Sequence, residues 1–179
     1  MGNGEVRAMT IHWGQTLGVG LGLLALSLGG CEKSDLTVPT EAQALAYFAE
    51  TPGITVEVGG NVLTVKVDQP FQQLRRGGAL WARVGPYVYL FTTTTEQLFN
   101  DFGGLAGVRV TTRTGSRHEF VATALLARNS LNDLTWRRAR NIAGRARLDG
   151  TERPSLLEDL VQWGEDHTEF EYSTRWVPR

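Results

Sequence analysis

The 179 residues carry a net charge of −1, with 41% hydrophobic and 21% charged residues, values of an ordinary globular chain that exclude wholesale disorder. Near-neutrality leaves no global field to attract nucleic acid, so no nucleic-acid partner is expected. The single cysteine excludes an internal disulfide and any Cys-rich zinc or iron–sulfur site, which leaves apolar burial as the source of stability.

In chain order, the first feature is Thr16–Leu28 (TLGVGLGLLALSL), uncharged and mostly Leu, Gly, Val and Ala. It is shorter than the roughly 20 residues of a membrane span and suits the apolar region of a signal peptide. It runs into Leu28-Gly29-Gly30-Cys31: an aliphatic residue, two small residues, then the cysteine. This tetrapeptide resembles the lipobox of bacterial lipoproteins. The resemblance implies thioether lipidation of Cys31, cleavage after Gly30 and acylation of the new amino group. Residues 1–30 are then a signal peptide, and residues 31–39 are a lipidated cysteine with a short polar tether. At about 0.8 kcal/mol per buried CH₂, several acyl chains make the lipid bilayer a permanent partner through Cys31. Glu32 stands where an Asp would resemble an inner-membrane retention signal. In a host with two membranes the expected address is therefore the outer one, facing the periplasm.

Residues 40–179 read as one globular domain. Thr40-Glu41-Ala42-Gln43 matches a capping box and predicts a helix over 41–50, ended by Thr51-Pro52-Gly53. Ile54–Val58 and Val62–Val67 alternate around Gly59-Gly60-Asn61, which predicts a hairpin. Residues 70–78 read as a loop. Ala79–Phe91 (ALWARVGPYVYLF) is rich in aromatic and β-branched residues and predicts a strand, split or bulged at Gly85-Pro86. A second capping box at Thr94–Gln97 opens a helix to Phe102. Val108–Arg113 and Glu119–Leu126 form a second predicted hairpin. Ser130–Asp133 caps a helix over 131–148, Ser155–Glu158 opens another to Trp163, and 168–177 reads as a last strand. Without regular βαβ alternation, the expected fold class is α+β: a mostly antiparallel sheet built from hairpins, packed with about four helices.

Three groups of residues are candidates for function. The helix over 131–148 carries Arg137, Arg138, Arg140, Arg145 and Arg147. With Thr135, Ala139, Ile142, Ala143 and Ala146 turned inward, Arg137, Arg140 and Arg147 point outward. They form either an anion or partner surface, or a solvated face paired with Glu158, Asp159, Glu165 and Asp166. The second reading is the plainer, because no aromatic residues interleave as in nucleic-acid grooves. Trp81, Tyr87 and Tyr89 are candidates to line a ligand cleft, against the plainer alternative of core packing. Trp163 shares a helical stripe with Leu156, Leu157, Leu160 and Val161 and reads as core. Glu165-Asp166-His167, with Glu169, Glu171 and the distant His118, is the densest titratable set. It matches no metal-ligand spacing and no Ser lies in a nucleophile elbow, so no catalytic residue, metal site or cofactor is expected.

The leading functional expectation is a membrane-anchored envelope lipoprotein with a non-enzymatic binding or structural role towards another envelope component, such as an envelope protein. One alternative is a small-molecule-binding or sensing domain that uses the aromatic strand. Another is a periplasmic hydrolase that uses His167 and nearby carboxylates. An open aromatic-lined pocket, a converged histidine–carboxylate cluster and a flat apolar patch would favour ligand binding, catalysis and a protein partner respectively.

Overall fold

The computed structural model describes residues 36–115 and 117–178. The lipobox, Cys31 and the first part of the expected tether lie outside the described residues. Five strands, β1 (Ile54–Gly59), β2 (Val62–Gln69), β3 (Gly107–Thr114), β4 (Phe120–Ala127) and β5 (Glu169–Tyr172), form one sheet in the order β1-β2-β3-β4-β5. β1–β2, β3–β4 and β4–β5 are antiparallel, so the domain is α+β with a mostly antiparallel sheet. Both expected hairpins are present. The central pair β2–β3 is parallel, and parallel neighbours need a long crossover. That crossover is α2 (Phe71–Leu90) followed by α3 (Thr93–Asp101).

Strand alternation produces a one-sided sheet. Leu63, Val65 and Val67 of β2, Val108 and Val110 of β3, and Ala122, Ala124 and Leu126 of β4 are buried. The intervening Thr64, Lys66, Asp68, Arg109, Thr111, Arg113 and Thr123 are only half-buried. α2 packs on β3 and β4, and against it lie α4 (Asp133–Asp149) and α5 (Pro154–His167). α1 (Glu41–Ala46) covers β1. Each fully buried aliphatic or aromatic side chain in this layer contributes about 1.5–3 kcal/mol.

Ala79–Phe91 corrects the sequence expectation: it is not a strand but the long segment of α2 with its C-cap Phe91, and the expected loop 70–78 is the N-cap Pro70 and the beginning of the same helix. The β-propensity of aromatic and branched residues expresses a fit to a half-buried surface, not a backbone rule. Here burial of Ala82, Gly85, Pro86, Tyr87 and Leu90, spaced along one helical stripe, decides the outcome. Gly78 interrupts the helix with φ 58° and ψ −146°, a conformation costly for any residue with a Cβ. Gly85 leaves room for the Gln69 side chain, whose Nε2 would lie 2.3 Å from an added Cβ.

Local capping signals fare better. The Thr40 amide donates to Gln43 Oε1 (2.9 Å) while Gln43 N donates to Thr40 Oγ1 (3.2 Å), but α1 stops at Ala46. α3 is capped by Thr92, not Thr94, through Thr95 N (3.2 Å). α4 starts from Asn132, whose Oδ1 accepts from Leu134 N and Thr135 N, each at 3.0 Å. α5 begins with Pro154 in its first turn and has no side-chain cap. The last strand ends at Tyr172, well short of 177.

The described end of the expected tether is fastened to the domain. Gly104 N donates to Thr37 O (2.8 Å) and Pro39 is buried. A Cβ on Gly104 would lie 2.1 Å from the Leu36 carbonyl oxygen, so this close approach requires glycine. Nearby, the Arg128 guanidinium donates to the carbonyls of Phe99 (2.6 Å), Phe102 and Leu105 (2.6 Å), closing the end of α3. α4 departs from this end of the sheet and α5 returns to it, finishing at His167 beside Leu125 and Ala127. No helix among the described residues is long and apolar enough to cross a membrane.

Candidate functional site

At the far end of α4, where it turns into α5, a groove of about 610 Å³ opens against α2 on both sides of its Gly78 interruption. Gln72, Gln73, Arg76, Gly77, Leu80 and Trp81 supply one wall; Gly150, Thr151, Pro154 and Leu157 supply the other. The Trp81 indole lies directly on the bare backbone of Gly77, where an added Cβ would sit 1.5 Å from Trp81 Cδ1. Gly150 plays the same part opposite, since its Cβ would meet Leu157 Cδ2 at 2.4 Å. Two glycines thus let large apolar side chains close in on the groove. Arg76 is the one charged residue lining it.

Of the three residues expected to line a ligand site, Trp81 alone borders this groove. Tyr87 is fully buried in the core and Tyr89 is half-buried at its margin. The Tyr87 hydroxyl donates to the Tyr172 hydroxyl (2.7 Å), which donates to Glu165 Oε1 (2.9 Å). Arg83 Nη2 donates to the same carboxylate oxygen (2.6 Å). Burial pushes the Tyr87 phenol up to about 12, and burial together with Tyr87 and Glu165 raises Tyr172 further. The Glu165 carboxylate raises the Arg83 guanidinium as well. Two phenols held neutral and a guanidinium held charged cannot act as base or nucleophile near neutral pH. Their arrangement fastens α2, α5 and β5 together.

The basic helix does not pair as expected. Arg140 bonds Glu96 of α3 (3.1 Å), and Arg147 Nη1 donates to Val88 O (2.7 Å), where desolvation lowers its pKa. Arg137 is exposed, its Nε 3.4 Å from Asp133 O. Of the acidic residues expected to face them, Glu165 is bound to Arg83 instead. Arg138 lies over the Trp163 ring at 4.8 Å, and with Arg145, Asp159 and Asp166 borders a second groove of about 600 Å³ between α4 and α5. Trp136, and not Thr135, is the buried residue of the first turn of α4.

The titratable residues do not converge. His167 stacks on Trp163 with ring centroids 4.0 Å apart and donates from Nδ1 to the Trp163 carbonyl (2.8 Å). His118 Nδ1 lies 3.1 Å from Asp68, whose carboxylate also holds Arg113 at 3.0 Å. His118 precedes the start of β4 whereas His167 sits beside its end, a separation of about 23 Å at the usual rise per residue. Among the described residues, no three His, Cys, Asp or Glu side chains are grouped to hold a metal ion.

Arg76, Gln72, Gln73 and Pro154 escaped the sequence reading because Gly77-Gly78 resembles a loop. The signal that could have found them is Pro70-Phe71 followed by Gln-Gln-Leu-Arg-Arg, a run of good helix formers just behind a proline that sits at the helix N-cap. Comparison of the chain with family models, with curated proteins and with solved structures finds no match.

Proposed function

We propose that this chain is a lipid-anchored protein of the bacterial cell envelope, non-enzymatic, whose domain holds a small ligand in the Trp81 groove. The observation that carries this reading is the groove itself. Its volume of about 610 Å³ falls in the range of ligand sites, roughly 300–1,000 Å³, and it joins an apolar floor to a few polar groups. No histidine or carboxylate borders it to do acid–base chemistry. The anchor rests on Leu28-Gly29-Gly30-Cys31, with the outer membrane as the proposed address. Thr37 joins the domain beside Gly104, near the start of α4, whereas the groove lies at the far end of that 17-residue helix, about 25 Å along its axis. A lipid on Cys31 reaches Leu36 through at most about 18 Å of extended chain.

Two measurements test the two parts. Metabolic labelling with an alkynyl fatty acid should mark the full chain and leave Cys31→Ser unmarked; equal labelling would remove the anchor. N-phenyl-1-naphthylamine, an uncharged fluorescent amphiphile, should bind the full chain and be largely lost from Trp81→Ala. Equal binding by both proteins would remove the groove.

A further inference from the structure

We propose that the Trp81 groove selects an anionic amphiphile, with Arg76 as the residue that recognises the anion. The ligand class is an apolar ring system or short acyl body bearing one carboxylate, sulfonate or phosphate group. The inference rests on the preceding reading of the groove as a ligand site and adds the charge of the ligand.

Arg76 is exposed at the mouth and brings the only formal charge to the lining, so the groove is electropositive where it meets water. Its neighbours do not cancel that charge. Arg75 is turned to the Phe71 ring, 6.0 Å from its centroid, and Arg83 is committed to Glu165. On the facing α4–α5 turn, Glu152 and Arg153 offset one another in sign, and they and Asp149 all lie outside the lining. No ion pair engages Arg76 among the described residues.

A guanidinium presents a planar fork of donors that matches a carboxylate, sulfonate or phosphate, and charged hydrogen bonds are about twice as strong as neutral ones. Gln72 and Gln73 add amide donors on the same wall, while Leu80, Trp81, Pro154 and Leu157 receive an apolar body. A cationic ligand would meet like charge, and a neutral one would leave Arg76 to water. The second groove is an internal contrast. There Arg138 and Arg145 are balanced by Asp159 and Asp166, so it has no reason to prefer an anion.

The test uses two dyes with the same ring system, 8-anilinonaphthalene-1-sulfonate and uncharged N-phenyl-1-naphthylamine, titrated into the full chain and followed by fluorescence. Arg76→Gln should weaken the sulfonate dye about tenfold, the value of one charged contact, and leave the neutral dye unchanged. Arg76→Lys should recover part of the loss. Arg145→Gln, in the second groove, should alter neither dye. Arg76 is exposed, and a circular-dichroism melt of each variant checks that folding is intact. If Arg76→Gln binds both dyes as the wild type does while Trp81→Ala loses both, charge selection is overturned and the ligand groove stands. If Trp81→Ala binds both dyes as well as the wild type, the groove falls and takes this inference with it.

Discussion

The two segments of α2, on either side of Gly78, share one helix label but do different work. In the first, from Phe71 to Gly77, Leu74 alone is fully buried, and Gln72, Arg75 and Arg76 face solvent. In the second, from Ala79 to Leu90, Ala82, Val84, Gly85, Pro86, Tyr87 and Leu90 are buried against the sheet and α5. The second segment is scaffold, held by packing and by the bond from Tyr87 to Tyr172. The first is surface, and its exposed side chains are free to take part in binding. One glycine in a conformation denied to other residues lets the chain change direction between them. Both segments border the groove, the first through Gln72, Gln73 and Arg76 and the second through Leu80 and Trp81, so the kink between them shapes its wall.

The strongest way to break this comparison is Tyr87→Ala, which empties the scaffold segment of a fully buried ring and leaves the Tyr172 hydroxyl without its donor. It should cost about 3–5 kcal/mol in urea denaturation, whereas Gln73→Ala in the first segment should stay within about 0.5 kcal/mol. Similar costs at the two positions would erase the distinction. Next comes alkaline pH. Tyr87 titrates at about 12 in the fold against 10.0 outside it, so between those values the unfolded chain releases a proton that the folded chain keeps. Stability is therefore complete below pH 10 and falls as pH rises towards 12, by about 2–3 kcal/mol from this group. Denaturation midpoints measured from pH 8 to 12 should drop, and Tyr87→Phe should flatten the slope.

Gly78→Ala sharpens the comparison further. Nothing lies within 4 Å of an added Cβ at Gly78, so its whole cost is backbone strain, about 1–3 kcal/mol. Dye binding should suffer with it, as the first segment swings away from Pro154. The smallest effects belong to the basic helix. Arg140→Gln loses the part-exposed pair with Glu96 and should cost about 0–1 kcal/mol; Arg137→Gln should be silent in both melting and dye binding.

What could be read from the residues was local. The hairpins follow from alternation at Ile54–Val67 and Val108–Leu126, and α1 from the reciprocal bonds of Thr40 and Gln43, all set by near neighbours. The parallel pairing of β2 with β3 was not legible, because it joins strands across two helices. α2 was misread because Tyr87, Val88 and Tyr89 express β-propensity until a core claims one helical stripe. Trp81 was legible as a candidate by residue type alone. Arg76 was not, since its role depends on the kink that carries it to Pro154. Glu165 stood out in the acidic run, but its partner Arg83 lies 82 residues away in sequence, a pairing that no local pattern announces.

The bond between Gly104 and Thr37 gives mechanical load a route into the domain beside the covalent chain. Tension applied through an N-terminal anchor arrives one residue before Leu105 and three before the first residue of β3. At that point Ala106 N is bonded to Asn61 O, and Arg128 N to Ala106 O. Part of the pull is thus shared by the bonds that flank the start of β3, before the covalent chain passes on through Val38 and Pro39 to α1.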